Sequence, residues 1–250
     1  YDVLRSGIPN AIRCAKEILE PMGERLKGIR IDSGDLTYMT QQARQMLDAA
    51  GLTDCKITVS NALDEYLIRD LINQGACIDS FGVGERLITS KAEPVFGGVY
   101  KISATEDENG NVIPKMKISE NAEKVTNPCS KKIVRFYDEA TGKAMADVIM
   151  TADEKVPDGS AYEIFDPLQT WKSKMVENYR TRELLVKIFD GGKLVYEKPP
   201  IEDIRAYCTK EIDSLWDSVK RFENPHKYYV DLSPKLWKIK DDILRSYKHR

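Results

Sequence analysis

Three short apolar runs that alternate with helical stretches constrain the fold of this chain more than any other feature. Strand candidates cover Gly28–Ile31, Cys55–Val59 and Ala76–Ser80, and helices are predicted between them over residues 36–50 and 63–73. Strands that alternate with helices form βαβ units, and hence a parallel sheet or barrel. Each run ends in small or polar residues, and ligands of parallel α/β folds bind beyond the carboxyl ends of the strands. The sequence therefore predicts an α/β region with a ligand site at one edge.

The pattern changes after Pro94, where short β-like runs separated by turn signals replace the long helices. These runs are Gly98–Ser103, Val112–Ile118, Lys132–Tyr137, Ala144–Ile149 and Ala161–Phe165. A hairpin is predicted around residues 190–192, and helices are predicted over residues 201–222 and from Ser233 onward. We therefore predict three parts: an α/β portion at 1–94, a β-rich accessory region at 95–200 and C-terminal helices at 201–250.

Composition excludes several classes of protein. With 38 basic and 40 acidic residues and 42% hydrophobic residues, the chain is neither disordered nor basic enough to bind nucleic acid through bulk charge. It has no apolar run of about 18 residues, so no membrane segment is predicted. Five cysteines without a C-x-x-C pair indicate reduced thiols and a cytoplasmic protein. Only His226 and His249 are available for a histidine metal site, and none is predicted.

The first strand end carries the most informative motif. Arg30 and Asp32 are two apart on a strand and therefore point to the same face, followed by Ser33 and Gly34. Arg30 could bind a carboxylate, and Asp32 could bind ribose hydroxyls or oppose a developing positive charge. Two plainer interpretations stay open: Arg30 pairs with Asp32, and Asp32 and Asp35 cap turns.

The other two strand ends carry groups suited to a phosphate. Gly82 and Gly84 precede Glu85 in a turn before a helical stretch, where glycines let the backbone approach a phosphate and amides attract anions. Their spacing is neither that of the dinucleotide-binding motif nor that of a Walker loop, so a plain tight turn stays an alternative. Ser60 and Asn61 end the second strand.

Five segments together carry a family resemblance. They are RIDSGDL at 30–36, FGVGERLITS at 81–90, FGGVYK at 96–101, KISENAEKVTNP at 117–128 and NPHKYYVDLS at 224–233. On these motifs, which follow one another over essentially the whole chain, the sequence resembles the nicotinate phosphoribosyltransferases.

The resemblance implies the ATP-coupled transfer of a phosphoribosyl group from phosphoribosyl pyrophosphate to nicotinate, which forms nicotinate mononucleotide and pyrophosphate in NAD biosynthesis. It implies Mg²⁺, a homodimer and an irregular α/β barrel with a β-rich accessory domain. By resemblance, Arg30 faces the pyridine carboxylate and Asp32 the ribose. Ser60, Asn61 and the amides around Gly84 and Glu85 would hold the 5′-phosphate. Ser33, Gly34, Gly82 and Thr89 complete the predicted substrate-binding and phosphate-binding set.

Two departures from the family pattern qualify this expectation. The phosphorylatable histidine of the family lies upstream of the segment that matches Tyr1, so we expect the chain to be the C-terminal half of the enzyme and to lack turnover alone. The family commonly has glycine after Pro128, where this chain has Cys129.

Three alternatives remain open at this point. The first is a nicotinamide phosphoribosyltransferase-like enzyme, and the second is a non-catalytic phosphate-binding module. The third is a barrel lyase or aldolase, which would need a catalytic lysine that none of the three strand ends carries.

Overall fold

The chain folds into two compact units, residues 1–98 and 99–250. The computed structural model describes residues 2–95, 97–157, 159–169 and 171–248; Phe96 of the third motif and His249 lie outside them. The division into three parts stays a prediction, and the C-terminal helices are described with the second unit. No helix in the described ranges is both long and apolar enough to cross a membrane.

The first unit is a βαβαβ arrangement preceded by a helical segment. That segment comprises Val3–Gly7, Ile8–Cys14 (α1), Ala15–Leu19 and Glu20–Met22. The strands and helices that follow are β1 (Gly28–Ile31), α2 (Leu36–Ala49), β2 (Lys56–Ser60), α3 (Glu65–Asn73), β3 (Ser80–Gly82) and α4 (Glu85–Ile88). The three strands form a parallel sheet in the order β1-β2-β3, as the alternating pattern predicts.

Local sequence signals explain where α2 begins and ends. The Asp35 carboxylate accepts a hydrogen bond from the Tyr38 amide at 3.0 Å and caps the first turn. Gly51 takes a φ of +75° just beyond the last turn, and the Leu52 amide donates to the Leu47 carbonyl. This left-handed glycine is the predicted C-terminal cap. α2 is thereby set between β1 and β2.

The core of the first unit lies around the central strand. Ile57 and Val59 of β2 are fully buried together with Ile31 of β1 and Leu47 of α2. In the parallel register Ile31 pairs with Val59, and Ser60 pairs with Gly82. The carboxyl ends of all three strands therefore meet at one edge. In the described residues these strands form an open sheet, and the barrel stays a prediction.

The third strand lies further along the chain than the predicted Ala76–Ser80. The Ala76 amide donates to the Leu71 carbonyl at the end of α3, and the Cys77 amide donates to the Thr40 hydroxyl. Amides used in this way cannot join the β2 ladder. The first bond to β2 is from the Asp79 amide to the Ile57 carbonyl, and the paired residues start at Ser80.

The second unit is built on one mixed six-stranded sheet of order β10-β6-β7-β13-β8-β9. Its strands are β6 (Lys131–Asp138), β7 (Ala144–Thr151), β8 (Tyr162–Phe165), β9 (Ser173–Val176), β10 (Tyr179–Glu183) and β13 (Val230–Leu232). Two hairpins stand apart from it, formed by β4 (Ala104–Glu106) with β5 (Val112–Pro114) and by β11 (Phe189–Asp190) with β12 (Lys193–Leu194). The unit also contains a short turn of helix at Ala122–Lys124, α5 (Ile201–Asp213) and α6 (Pro234–Lys248).

Several predicted β runs are confirmed and others are shorter. The runs at 132–137, 144–149 and 161–165 are strands, and the hairpin at 190–192 is present. Residues 98–103 are not a strand. The run that begins at Val112 stops at Pro114, which has no amide to donate. The Lys117 amide then donates to the Thr126 hydroxyl instead of a neighbouring strand.

The predicted helix over residues 201–222 ends at Asp213. The Ser214 hydroxyl donates to the Glu211 carbonyl, and the Ser214 carbonyl accepts from the Ala144 amide of β7. These two bonds end α5 and direct the chain toward the first residue of β7.

The turn at Cys129 keeps the backbone conformation that glycine favours. Cys129 has a φ of +69°, and its amide donates to the Ser103 carbonyl at 2.8 Å. A side chain in the left-handed region is strained by roughly 1 kcal/mol or more. The Lys131 ammonium donates to the carbonyls of Asn127, Pro128 and Cys129 and ties this turn together.

Candidate active site

Three side chains predicted from the sequence form one hydrogen-bonded cluster at the carboxyl edge of the first unit. Arg30 of β1 donates from Nη2 to the Asp32 carboxylate at 2.7 Å and from Nε to the Ser60 hydroxyl at 2.9 Å. The Ser60 hydroxyl in turn donates to the same carboxylate. The parallel register brings the end of β2 beside the end of β1, which closes this ring of three groups.

This cluster is open to solvent. The Arg30 side chain is 62% exposed and the Asp32 side chain 55% exposed. An exposed ion pair adds little to stability, typically about 0–1 kcal/mol. Arg30 does pair with Asp32, as the plainer interpretation expected, and both groups remain accessible to a ligand.

The turn after β1 is shaped by one glycine. Gly34 has a φ of +83°, and a Cβ placed on it would lie 2.6 Å from the terminal methyl of Met39. Ser33 precedes it in the exposed turn. Asp35 caps α2, as the plainer interpretation expected, whereas Asp32 bonds Arg30 and Ser60. A side chain at position 34 would be strained by the positive φ and would displace the end of Met39, so this turn favours glycine.

The loop after β2 has an unusual backbone. Asn61 and Ala62 follow Ser60 with φ values of 102° and 44°. Two successive non-glycine residues at positive φ are uncommon, and such strain concentrates at functional sites. The loop ends at Asp64, whose carboxylate caps α3 by accepting from the Leu67 amide at 2.8 Å.

The loop after β3 places its two glycines differently. A Cβ on Gly82 would lie 3.3 Å from the Cβ of Ser60, so a small residue keeps space beside the cluster. Gly84 lies in open space just before the four-residue helix α4. Glu85 pairs with Lys91 at 3.5 Å, and the Thr89 hydroxyl donates to the Glu85 carbonyl at 2.7 Å. Glu85 and Thr89 therefore have internal partners and do not join the Arg30 ring.

Sequence reasoning missed Arg86, which links two of the loops. Its guanidinium donates to the Asp64 carboxylate at the start of α3, and its Nε is buried without a hydrogen-bond partner in the described residues. Arg86 and Asp64 line a cavity of about 520 Å³ with Tyr66 and Lys91. The available signal was a basic residue two positions after Gly84.

Two further ionisable groups of the first unit, Asp79 and Cys55, have structural roles. The Ile57 amide donates to the Asp79 carboxylate at 2.8 Å, and this bond, followed by the one from Lys56, lowers the pKa of Asp79. Burial raises the pKa of the Cys55 thiol, which makes it a poor nucleophile. No group of three or more His, Cys, Asp or Glu side chains converges as a metal site within the described ranges.

Comparisons with known proteins agree on one family. Residues 130–240 match the family model described as the nicotinate phosphoribosyltransferase C-terminal domain. The chain is 44% identical over 252 residues to the nicotinate phosphoribosyltransferase of Bacillus subtilis (strain 168), which aligns 100% of this chain with 50% of that protein. It is 33% identical to nicotinate phosphoribosyltransferase 2 of Arabidopsis thaliana, over 95% of this chain and 43% of that protein.

The structure agrees with the sequence comparison. The crystal structure of human nicotinic acid phosphoribosyltransferase is similar with a TM-score of 0.74 at 27% identity, covering 98% of this chain and 45% of that one. The chain spans about half the length of the curated relatives it matches. The matches run along the whole chain and include every loop of the Arg30 cluster. The chain belongs to the nicotinate phosphoribosyltransferase family, of which residues 130–240 are the C-terminal domain.

Proposed function

We propose that the protein containing this chain is an enzyme that transfers a phosphoribosyl group from phosphoribosyl pyrophosphate to nicotinate. The products are nicotinate mononucleotide and pyrophosphate, formed with coupled ATP hydrolysis in NAD biosynthesis. The observation that carries the proposal is the exposed ring of Arg30, Asp32 and Ser60 at the carboxyl edge of the sheet. Family membership supports the same reaction.

Arg30 is suited to bind the carboxylate of nicotinate. A guanidinium has five N–H donors in a rigid plane that matches a carboxylate. The bond to Ser60 uses Nε, and the bond to Asp32 uses one N–H of Nη2. The remaining donors are free of these two bonds, so the ring fixes the orientation of Arg30 while leaving it able to bind a ligand. A neutral carboxamide would gain less from this cation, which favours nicotinate over nicotinamide.

Asp32 is suited to the reacting sugar. Glycosyl transfer develops positive charge on the ribose, and a carboxylate held nearby stabilises that charge. Arg30 and Ser60 hold the Asp32 oxygen in place before the ligand arrives. A charge that is already oriented needs no reorganisation during the reaction, which is the source of its catalytic effect.

The 5′-phosphate would lie over the loops that follow β2 and β3. Asn61 and Gly84 are both exposed, and Gly82 places no side chain against Ser60. Ser33 and Gly34 would bound the sugar from the β1 side. We assign the phosphate to backbone amides near Gly84 and Glu85, with Thr89 contributing through the turn it stabilises.

The remaining assignments rest on the resemblance. We propose ATP as co-substrate, a cytoplasmic homodimer, and an α/β barrel to which β1–β3 contribute. Mg²⁺ characteristically keeps several waters and binds substrate phosphates with one or two carboxylates. We propose that Mg²⁺ arrives with the pyrophosphate group of the substrate and neutralises its charge. Asp32 is the carboxylate of the Arg30 cluster that would lie nearest to this ion.

The test is formation of nicotinate mononucleotide by the full-length protein, measured with nicotinate and with nicotinamide. Asp32→Asn should lower kcat by roughly 100-fold or more, because it removes the charge that opposes the sugar cation. Arg30→Lys should raise the KM for nicotinate more than the KM for phosphoribosyl pyrophosphate. Asp54→Asn, in an exposed ion pair with Arg25, is the matched control and should retain activity.

Two results would contradict the proposal. One is a kcat for Asp32→Asn within a few-fold of the unmodified enzyme, and the other is a preference for nicotinamide. Residues 1–250 alone span about half of the relatives' length, and we expect them to give no turnover.

A further inference from the structure

A second cavity lies within the 99–250 unit. Its volume is about 370 Å³, within the range of roughly 300–1,000 Å³ that is typical of small-molecule sites. Aromatic and cationic side chains dominate its lining. They are Trp216, Tyr228, Tyr229, Lys174, His226 and Lys227. Four of these residues, 226–229, directly precede the strand β13 in the NPHKYYVDLS motif, which the proposed transfer reaction does not use.

The walls of this cavity are held by main-chain bonds. The His226 amide donates to the Ser218 carbonyl at 2.9 Å, which joins the turn after α5 to the segment before β13. The Ala144 amide donates to the Ser214 carbonyl at 2.7 Å, and this bond fixes the same turn to β7. A cavity with tied walls binds a ligand with little loss of conformational freedom.

The aromatic walls are accessible. Trp216 is 43% exposed and Tyr229 is 37% exposed. Tyr228 is oriented differently, because its hydroxyl donates to the buried Asp147 carboxylate at 3.0 Å. Exposed flat rings held at fixed positions are suited to stack on a planar ligand.

The cations of the cavity are incompletely neutralised. The Lys174 ammonium lies 4.2 Å from the centre of the Tyr229 ring and forms no ion pair within the described ranges. Lys227 is 3.8 Å from the Asp166 carboxylate, with its side chain 78% exposed. The one acidic side chain of the lining, Asp138, accepts bonds from the Thr141 amide and hydroxyl. An anion entering the cavity would therefore meet available positive charge.

We infer that this cavity binds a planar aromatic anion of the nucleoside monophosphate class. The base stacks against Trp216 and Tyr229, and the phosphate binds the ammonium groups of Lys174 and Lys227. The exposed rings and the two lysines line the same cavity; Lys174 forms no ion pair in the described ranges, and Lys227 lies 3.8 Å from Asp166. The rings suit the base of such a ligand, and the lysines suit its phosphate. The cavity is formed by residues of the second unit and the Arg30 cluster by residues of the first, so the inference does not rest on the proposed reaction.

The test uses the full-length protein labelled with 5-fluorotryptophan and AMP as the probe. The ¹⁹F resonance of Trp216 is assigned as the one that Trp216→Phe removes, so it reports on this cavity even if AMP also binds elsewhere. Titration with AMP should change the chemical shift of this resonance until the change reaches a plateau at saturating AMP. Adenosine lacks the phosphate and ribose 5-phosphate lacks the base, so each should bind at least about ten-fold more weakly than AMP.

Two variants locate the anion. Combining Lys174→Ala with Lys227→Ala should weaken AMP binding by about ten-fold or more, because both proposed phosphate contacts are removed. Lys193→Ala, an exposed lysine of the β11–β12 hairpin, is the matched control and should leave AMP binding unchanged. A Trp216 resonance that does not respond to AMP would overturn the inference. Equal affinity for AMP in the double variant, or equal affinity for adenosine, would also overturn it.

Discussion

Replacing Glu211 by glutamine tests what attaches α5 to the large sheet. This helix has no buried residue. Its Glu211 carboxylate accepts from Arg135 of β6 at 2.8 Å and from two nitrogens of Arg182 of β10 at 2.9 and 2.6 Å, and we expect these bonds to hold the helix to the sheet. The bond from Arg182 is the main cause of a lowered pKa at Glu211. The carboxylate therefore stabilises the fold at neutral pH, and this contribution is lost as the pH falls through the lowered pKa.

The size of the effect follows from these three bonds. Each charge-assisted hydrogen bond to a carboxylate is worth about 1.5–3 kcal/mol when its partner is removed. Glutamine keeps one acceptor oxygen, and the Arg182 side chain is 34% exposed, so water replaces part of the loss. We expect a net cost of about 2 kcal/mol in the local opening of α5, which corresponds to roughly 30-fold faster exchange.

Hydrogen–deuterium exchange of the full-length protein, read by mass spectrometry on peptides covering residues 201–213, measures this opening. Glu183→Gln is the control, since Glu183 pairs with Lys132 on the same sheet but is 62% exposed. The control should change exchange by less than about two-fold, because exposed pairs contribute little. If Glu211→Gln behaves like the control, the ion network does not hold α5, and the reasoning is refuted.

Two further predictions concern single positions. Gly34→Ala should lower both stability and substrate affinity, since φ is +83° and the new methyl would meet Met39; thermal unfolding and KM measurements check this. Asp231→Asn should raise the unfolding temperature at neutral pH, because burial first, and then the Asp166 carboxylate, raise the pKa of Asp231 against two nearby lysines. Because its pKa is raised, the Asp231 carboxyl favours the folded protein at low pH, where it is protonated, and this contribution is lost as the pH rises. The gain in stability from Asp231→Asn should therefore be larger at about pH 8 than at about pH 4. An equal gain at both values would contradict that cause.

The first unit was predictable because its signals are local. The helix α2 begins and ends at residues whose chemistry fixes its boundaries: Asp35 is the N-terminal cap, and Gly51 is the left-handed residue beyond the last turn. The hydrophobic periodicity and the capping residues give the same boundaries, so neighbouring residues suffice to define this part of the fold. The third strand was shifted because the Thr40 hydroxyl, from a distant helix, binds the Cys77 amide. No local pattern reports that bond.

The second unit was harder because its pairings are distant in sequence. β13 is only three residues long and lies between β7 and β8, parallel to the first and antiparallel to the second. Its neighbours in the sheet precede it by more than sixty residues along the sequence. The strands β9 and β10 were also missed, since their exposed positions lack the clear alternation of a half-buried strand. Contacts of this kind are decided by tertiary packing.

In the candidate site, too, contacts set by local sequence were predicted and a contact between distant segments was missed. The pairing of Arg30 with Asp32 follows from their spacing on one strand, and the strand-end rule correctly brings Ser60 to the same edge. The contact between Arg86 and Asp64 joins two loops whose relative position depends on the β2–β3 register. It could not be predicted from either loop alone.

Two arginine–aspartate pairs in this chain share the same chemistry and should respond oppositely to the same replacement. Arg30 and Asp32 are more than half exposed, whereas the side chains of Arg135 and Asp147 are only 16% and 12% exposed. Breaking a buried ion pair leaves an uncompensated charge and lowers the folding stability by about 3–5 kcal/mol, whereas breaking an exposed pair lowers it by about 0–1 kcal/mol. Asp147→Asn should therefore lower the thermal unfolding midpoint of the full-length protein by several degrees without a selective change in KM. Asp32→Asn should leave the midpoint nearly unchanged and abolish most of the activity. If Asp32→Asn destabilised the protein as much as Asp147→Asn does, the exposed pair would be structural, and the proposal that it binds substrate would fail.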